Sequence, residues 1–306
     1  MKKLTFLLSV CLFLTCLTGC TSTQSSKTEP INISATSVEV SPSKSDAPVV
    51  PINKENLLPG LKKIVEKGTL TVAMINDEIP VFCETQSDGS VAGIDVNLAQ
   101  ELANSLGVTL TINRESNTYD ELTDLLVKGA VDLVISTYSL TTERAACVSI
   151  SNPYLTTRIG VMVNKQELVK NRIEKNPIDY MKSNNIKLAA IRHSAHVSML
   201  PEMFPQAQVV EMDSYEEMYN AVRNGEIFGY VCGEMRLLCD YYEDETLPLY
   251  TQVFAFSDAP DNYCVGVAPD NMDLLSFVNS YLESSKTITV KDFEKKLKEK
   301  SAAAKE

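Results

Sequence analysis

The stretch YDELTDLLVKGAVDLVISTYSLTTERAACVSISNPY, Tyr119 to Tyr154, decides how the rest of the chain is read. Tyr119 to Lys128 reads as a helix closed by Gly129, and Ala130 to Ile135 as the strand that follows it. A loop then carries Ser139, Thr141 and Arg144 to the strand's end, before Ser151-Asn152-Pro153-Tyr154. The unit therefore gathers hydroxyls and one guanidinium at the mouth of a cleft.

Working outward, the same grammar repeats on both sides. Leu70 to Ile75 is a short apolar run after Gly68. Asp95 is placed to cap a helix whose Leu98, Ala99, Leu102, Ala103 and Leu106 share one face, with Gly107 ending it. Val108 to Ile112 is the next strand. Further on come strand Lys187 to Ile191, a helix from Ala195 to Met203, strand Gln208 to Met212, a helix from Ser214 to Asn224 with Ser214 and Glu217 as a capping box, and strand Phe228 to Cys232. Strands alternating with helices predict a mostly parallel sheet.

Tyr119-Asp120-Glu121-Leu122 before Gly129 is echoed by Tyr215-Glu216-Glu217-Met218 before Gly225, which predicts two related lobes. Ile159 to Val163 leaves the first lobe and Leu249 to Phe256 returns to it, and two crossings make a hinge. Tyr263 to Val267, a helix from Asn271 to Leu282 and a last helix from Val290 to Lys300, capped by Thr289 and apolar along Val290, Phe293 and Leu297, complete the first lobe. The expected fold class is α/β and two-lobed, each lobe a mostly parallel sheet flanked by helices, the lobes joined by a two-strand hinge. Residues 56–161 with 256–306 form lobe 1, and 162–255 form lobe 2.

The amino end reads separately. Lys2 and Lys3 precede an apolar run from Leu4 to Leu17, the pattern of a secretory signal over residues 1–20. Leu17-Thr18-Gly19-Cys20 resembles the bacterial lipobox, which implies cleavage before Cys20 and a diacylglycerol on its sulfur. Such an anchor holds a protein to a membrane without crossing it. Residues 21–55, rich in Ser, Thr, Pro and Lys, read as a flexible tether.

A formal charge of -12 makes nucleic acid a poor partner. Of eight cysteines, Cys11 and Cys16 leave with the signal and Cys20 is the lipid site. The spacings of Cys83, Cys147, Cys232, Cys239 and Cys264 fit no zinc pattern; Cys232 and Cys264 read as small buried hydrophobes, and a Cys83–Cys147 disulfide stays open.

From Gly68 to Lys300 the order and spacing of these motifs resemble the bacterial extracellular solute-binding proteins of family 3, the polar amino-acid receptors of ABC importers. The resemblance implies a type II periplasmic-binding-protein-like fold with the ligand between the lobes. A free amino acid carries a carboxylate and an ammonium on one carbon. Arg144 can meet the carboxylate with a bidentate fork, which lysine cannot. The amides and hydroxyls of Thr137, Ser139 and Thr141 would complete the anion's shell, and Tyr119 matches the family's aromatic wall.

Asn76 holds the position that touches the ligand's distal group, and it equally suits a turn before Pro80. The family's second ring falls at Ile79, so one wall of the usual sandwich is missing. In lobe 2, Arg192-His193-Ser194-Ala195-His196 stands at a helix start, where backbone N–H groups can meet an anion. Arg192 and His196 would sense the side chain, and Arg192 would favour an acidic or amide-bearing ligand. At the family's ammonium-binding aspartate this chain has Gly233, with Glu234 as the adjacent substitute; if neither serves, the expected ligand is a carboxylate or a modified amino acid without an α-ammonium. The two histidines lack the carboxylates or thiolates of a metal site, so neither metal nor cofactor is expected.

The resemblance thus implies an extracytoplasmic, lipid-anchored, monomeric substrate-binding lipoprotein that hands a small polar solute to an ABC permease. Two alternatives carry different consequences. Relatives with this fold, the cyclohexadienyl dehydratases, use a cleft carboxylate as general acid, for which Glu234 is the candidate. A sensory lipoprotein would bind the solute but signal to another partner.

Overall fold

A computed structural model describes residues 28–30, 54–285 and 289–303. The signal reading, the Cys20 lipid site and most of the 21–55 tether lie outside the described residues. Within that tether, β1 (Thr28–Pro30) pairs antiparallel with Phe254–Phe256.

The first lobe opens with α1 (Pro59–Lys67), β2 (Thr69–Ala73), a small hairpin of β3 (Glu84–Thr85) and β4 (Val91–Ala92), α2 (Ile94–Leu106), β5 (Thr109–Asn113), α3 (Tyr119–Val127), β6 (Leu133–Ser139) and α4 (Thr142–Cys147). The long strand β7 (Ser149–Asn164) leaves it for α5 (Lys165–Lys170), α6 (Pro177–Ser183), β8 (Lys187–Ile191), α7 (Ala195–Met203), β9 (Gln208–Met212), α8 (Tyr215–Asn224), β10 (Gly229–Gly233), α9 (Glu234–Glu243) and α10 (Leu247–Tyr250). Strand β11 (Thr251–Val267) returns, followed by α11 (Met272–Ser284) and α12 (Val290–Ala303).

The strands run in the order β5-β2-β6-β11-β7-β10-β8-β9. Pairing is parallel in β5-β2-β6 and in β10-β8-β9, and antiparallel only where the crossing strands enter, at β6-β11, β11-β7 and β7-β10. Helices cover both faces of each half, so the inner strands β6 and β10 are buried throughout, while the edge strands β5 and β9 stay partly exposed. Leu70, Val72, Leu102, Leu106, Leu133 and Phe293 share one first-lobe core, while Leu122, Leu126, Val134 and Tyr138 fill the opposite face. In the second lobe Val161, Leu188, Leu200 and Phe204 lie on one side, with Met218, Val222 and Tyr230 on the other. Helix α9 faces both lobes: Met235, Leu238 and Cys239 join the first-lobe core and Leu237 the second.

Local chemistry explains the boundaries. Gly107 and Gly225 end α2 and α8 in the left-handed conformation that a Cβ disfavours. Thr118 and Glu121 form a reciprocal capping box at α3, and the Ser214 hydroxyl accepts the Glu217 amide at α8. Three expectations change. The strand expected over Ala130–Ile135 instead spans Leu133–Ser139, because β2 and β11 pair with its two edges and carry it on to the cleft. The return crossing and the strand after it are one strand, β11, whose register against β7 slips between Ala255 and Pro260. All five cysteines of the folded part are free, with Cys83 buried and Cys147 exposed.

The third change concerns Asp95. Gly93, not Asp95, is the N-cap of α2, and the Asp95 side chain turns inward. Its carboxylate accepts the Thr137 amide at 2.7 Å and the Tyr154 hydroxyl at 2.8 Å, joining α2 to β6 and β7. Burial outweighs these two bonds and pushes the carboxyl up to about 7. In the unfolded chain an aspartate titrates near ~3.9. The native state therefore holds the extra proton between these values, and Asp95's contribution to stability is whole at pH 4 and lost as pH rises through 7. Asp95→Asn should remove this component. In thermal melts the stability gap between wild type and variant is expected to narrow from pH 5 to pH 8, and a gap that widens with pH would contradict the assignment.

Candidate functional site

A cavity of about 480 Å³ opens between the lobes, of the size that takes a small metabolite. Its first-lobe wall includes Asn76, Tyr119, Thr137, Ser139 and Arg144, and its second-lobe wall includes Ser194, Ala195, His196, Tyr215 and Gly233.

Strand β6 delivers the first wall. Thr137 sits in the left-handed region at φ 44°, which strains a β-branched residue. Its amide is held by Asp95 and its hydroxyl lies 3.2 Å from the Tyr119 hydroxyl, so both ends of the strained residue are pinned. Burial raises the Tyr119 phenol above its usual range, keeping it protonated. Arg144 is buried to 7% exposure, and its Nη1 donates to the Ser139 carbonyl at 2.7 Å. The guanidinium lies 4.2 Å from the Tyr138 ring and 5.1 Å from that of Tyr119. Among the described residues no carboxylate lies within ion-pair distance of it. A buried cation held by rings and one carbonyl is a ready receptor for an anion.

Thr141 stands one step back. Its hydroxyl accepts the Arg144 amide at 3.2 Å as the N-cap of α4, and it does not line the cavity. It fixes the turn that aims Arg144. Asn76 lines the cavity and donates its side-chain amide to Asn117 at 3.3 Å.

The second wall differs more from expectation. Arg192 points away from the cavity onto an exposed edge, where its Nε donates to Asp213 at 2.7 Å and Nη1 reaches Glu211 at 3.4 Å. Adjacent acids on β9 and the turn after it claim the charge. Glu234 is buried but lies outside the lining, because Arg158 of β7 forks onto both its oxygens. The guanidinium neutralises the carboxylate that was expected to replace the missing aspartate. His196 does line the cavity, with its Nε2 3.5 Å from the Asp261 carboxylate.

Three contributors are not apparent in the sequence. Arg236 of α9 lines the cavity, stacked 4.2 Å from the Tyr215 ring, its Nε donating to Asp240 at 2.9 Å. Tyr263 of β11 lines it too, its hydroxyl held well above the ordinary phenol range by burial and then by the Asp261 charge. Asp261 is fully buried behind them. An Arg four residues before an Asp reads as an ordinary helical pair, and Asp261 within Ser257-Asp258-Ala259-Pro260-Asp261-Asn262 reads as a turn. Neither offers a local signal.

Comparison with known proteins identifies the family. Residues 70–297 match the profile of bacterial extracellular solute-binding proteins, family 3. The chain is 24% identical over 242 residues to the glutamate-binding protein GluB of Corynebacterium efficiens, covering 73% of this chain and 76% of that protein. It is 24% identical over 171 residues to the ABC transporter glutamine-binding protein GlnH of Bacillus subtilis, covering 53% of this chain and 60% of that protein. Among solved structures, the amino acid ABC transporter substrate-binding protein AbpA of Streptococcus pneumoniae, bound to L-arginine, matches with a TM-score of 0.63 at 21% identity, covering 80% of this chain and 99% of that one. The ancestral amino acid-binding protein AncCDT-1, a precursor of cyclohexadienyl dehydratase, matches with a TM-score of 0.62 at 24% identity, covering 78% of this chain and 97% of that one. The matched profile spans most of a two-lobed chain whose cleft holds a buried, uncompensated guanidinium, and the chain belongs to family 3 of the bacterial extracellular solute-binding proteins.

Proposed function

We propose that this protein captures an amino acid with an acidic or amide side chain, L-glutamate in the first instance, and presents it to an ABC permease. The observation that carries the reading is Arg144, buried in the cleft without a carboxylate partner among the described residues. An α-carboxylate supplies that partner, bound through the remaining guanidinium N–H groups and the Ser139 and Thr137 positions.

Arg236 argues for the side chain. Its Nε is engaged by Asp240, which leaves its terminal amino groups as the donors available to a second carboxylate or a carboxamide. Two of the four acids lining the cavity are engaged by cations: Glu78 accepts from Thr85 and Arg114, and Asp213 from Arg192. The engagement of Glu234 by Arg158 removes the acid on which a dehydratase reading depends. Residues 56–161 with 256–306 and residues 162–255 would be the lobes that close on the ligand, α9 bearing on both, with Cys20 as the lipid site that keeps the receptor beside its permease.

Closure draws its energy from ligand contacts that both lobes make together. L-Glutamate at about a hundred times its dissociation constant would add ~2.7 kcal/mol of stability, a shift in melting temperature of about 5–10 °C for a chain of this size. In a thermal-shift panel of the twenty amino acids, L-glutamate or L-glutamine is expected to give the largest shift. Arg144→Ala should abolish it while the circular dichroism spectrum stays unchanged; a variant that still responds fully would remove the basis of the proposal. Arg236→Gln should lower L-glutamate affinity by roughly 10- to 100-fold, as loss of a charge-assisted bond does, and lower L-glutamine affinity less, read by calorimetry. Cys20→Ser should release the protein from the membrane fraction of the producing cells into the soluble fraction; unchanged membrane retention would exclude this lipid site.

A further inference from the structure

The most anomalous group in the molecule is Asp261. Its side chain has no exposure, and among the described residues neither carboxylate oxygen has a hydrogen-bond partner. Three nearby or facing atoms share that condition: the hydroxyl of Thr157, directly across the β7–β11 ladder, the His196 Nε2 at 3.5 Å, and the hydroxyl of Ser194 on the loop that starts α7. Buried carboxylates persist when they are paired with a cation or fully hydrogen-bonded. Here the crossing strands and the α7 start bring together a carboxylate, two hydroxyls and an imidazole nitrogen, none of them hydrogen-bonded among the described residues.

Gly233 shows how that carboxylate meets the cavity. A Cβ built on this residue would fall 2.3 Å from the Tyr263 hydroxyl oxygen and 3.0 Å from the Asp261 Oδ2. The glycine itself has φ -62°, so its backbone conformation does not call for glycine. What calls for it is space: the volume that a side chain at 233 would take is already used by the hydroxyl and the carboxylate of β11. Gly233, Tyr263, Ser194 and His196 all line the cavity, so Asp261 lies immediately behind its wall. The register slip between Ala255 and Pro260 is the device that turns Asp261 and Tyr263 to this side, as bulges beside binding sites commonly do.

Position along the strand supports the same reading. Tyr263 is the ladder partner of Ser139, whose carbonyl fastens Arg144. Asp261 is two residues further along, about 7 Å. A guanidinium and a carboxylate thus flank one stretch of the cleft, opposite charges for the two ends of a zwitterion.

We propose that Asp261, carried by the returning hinge strand, is the residue that binds the ligand's α-ammonium, and that glycine at 233 is what admits it. This rests on the amino-acid reading above. The cation-binding carboxylate has moved from the tip of β10 to β11, while the neighbouring Glu234 has been taken by Arg158 as a structural pair. His196 and the Tyr263 hydroxyl border the same oxygen without hydrogen-bonding to it.

The test compares L-glutamate with glutarate, the same dicarboxylate without the amino group, by calorimetry on the full chain. Wild type should prefer L-glutamate by at least ~100-fold, the order that a buried charge pair supplies. Asp261→Asn should lose most of that preference by weakening L-glutamate alone, with glutarate affinity held within about threefold. Gly233→Ala, which sets a methyl against the same oxygen, should show the same selective loss and serves if Asp261→Asn fails to fold. The double variant Gly233→Asp with Asp261→Gly should regain discrimination by returning the carboxylate to β10. Should either single variant discriminate as wild type does, or lose both compounds equally, Asp261 does not bind the ammonium, although the amino-acid reading survives. Wild type that binds neither L-glutamate nor any other amino acid of the panel overturns both.

Discussion

The antiparallel pairing of β7 with β11 is the interaction on which the rest of the molecule depends. These strands are the seam between two parallel half-sheets, paired from Thr251 against Asn164 to Val267 against Ser149. A parallel half-sheet alone has an exposed inner edge, and the crossing strands cover both edges at once. They also carry chemistry: Thr157 and Arg158 come from β7, Asp261 and Tyr263 from β11. The groups on the floor of the cleft are therefore placed by strands of the central sheet instead of by loops.

On that floor the charges divide by how they are engaged. Arg158 and Glu234 neutralise each other through a fork, whereas Asp240, which also accepts the Tyr230 hydroxyl at 2.6 Å, holds Arg236 by its Nε alone. Such pairs hold α9 in place, and breaking one would leave a buried charge alone. Arg144 has no carboxylate partner among the described residues and lines the cavity, while Asp261 faces the His196 Nε2 at 3.5 Å without a hydrogen bond and lies behind the cavity wall. On the proposed reading, these two groups of opposite sign are the ones the two ends of a zwitterion would meet.

Much of the architecture was legible because it is written locally. Gly107, Gly129 and Gly225 close helices, Ser214 and Thr141 cap them, and apolar runs mark strands buried on both faces. Asn76, Tyr119, Thr137, Ser139 and Arg144 were readable for the same reason: they sit at strand ends and on the turn after β6, in one continuous segment or beside it. The second wall was not, because its residues are selected by pairing across the fold. Arg192 looked free until Asp213 and Glu211 were brought beside it, and Glu234 looked free until β7 supplied Arg158. Asp261 looked like a turn acid because a register slip has no local signature, and the reason for glycine at 233 lies in a strand that follows it by more than twenty residues.

The remaining step concerns what closes the cleft. Across the mouth, His193 Nδ1 meets Asp120 Oδ2 at 2.8 Å, joining the start of α7 to the start of α3. Both side chains are well exposed, at 47% and 69%, and an exposed pair of this kind contributes little in salt-containing water. It can set the register of the two rims but cannot hold them together. Desolvated contacts deeper in the cleft have far greater leverage, since the same charges interact more strongly once water is excluded. A ligand spanning Arg144, Tyr119 and the His196 loop contacts both lobes only when they are closed, so its binding energy falls on the closed state and shifts the equilibrium by that difference. On the proposed function, solute recognition and the shape change a partner would read are therefore one event.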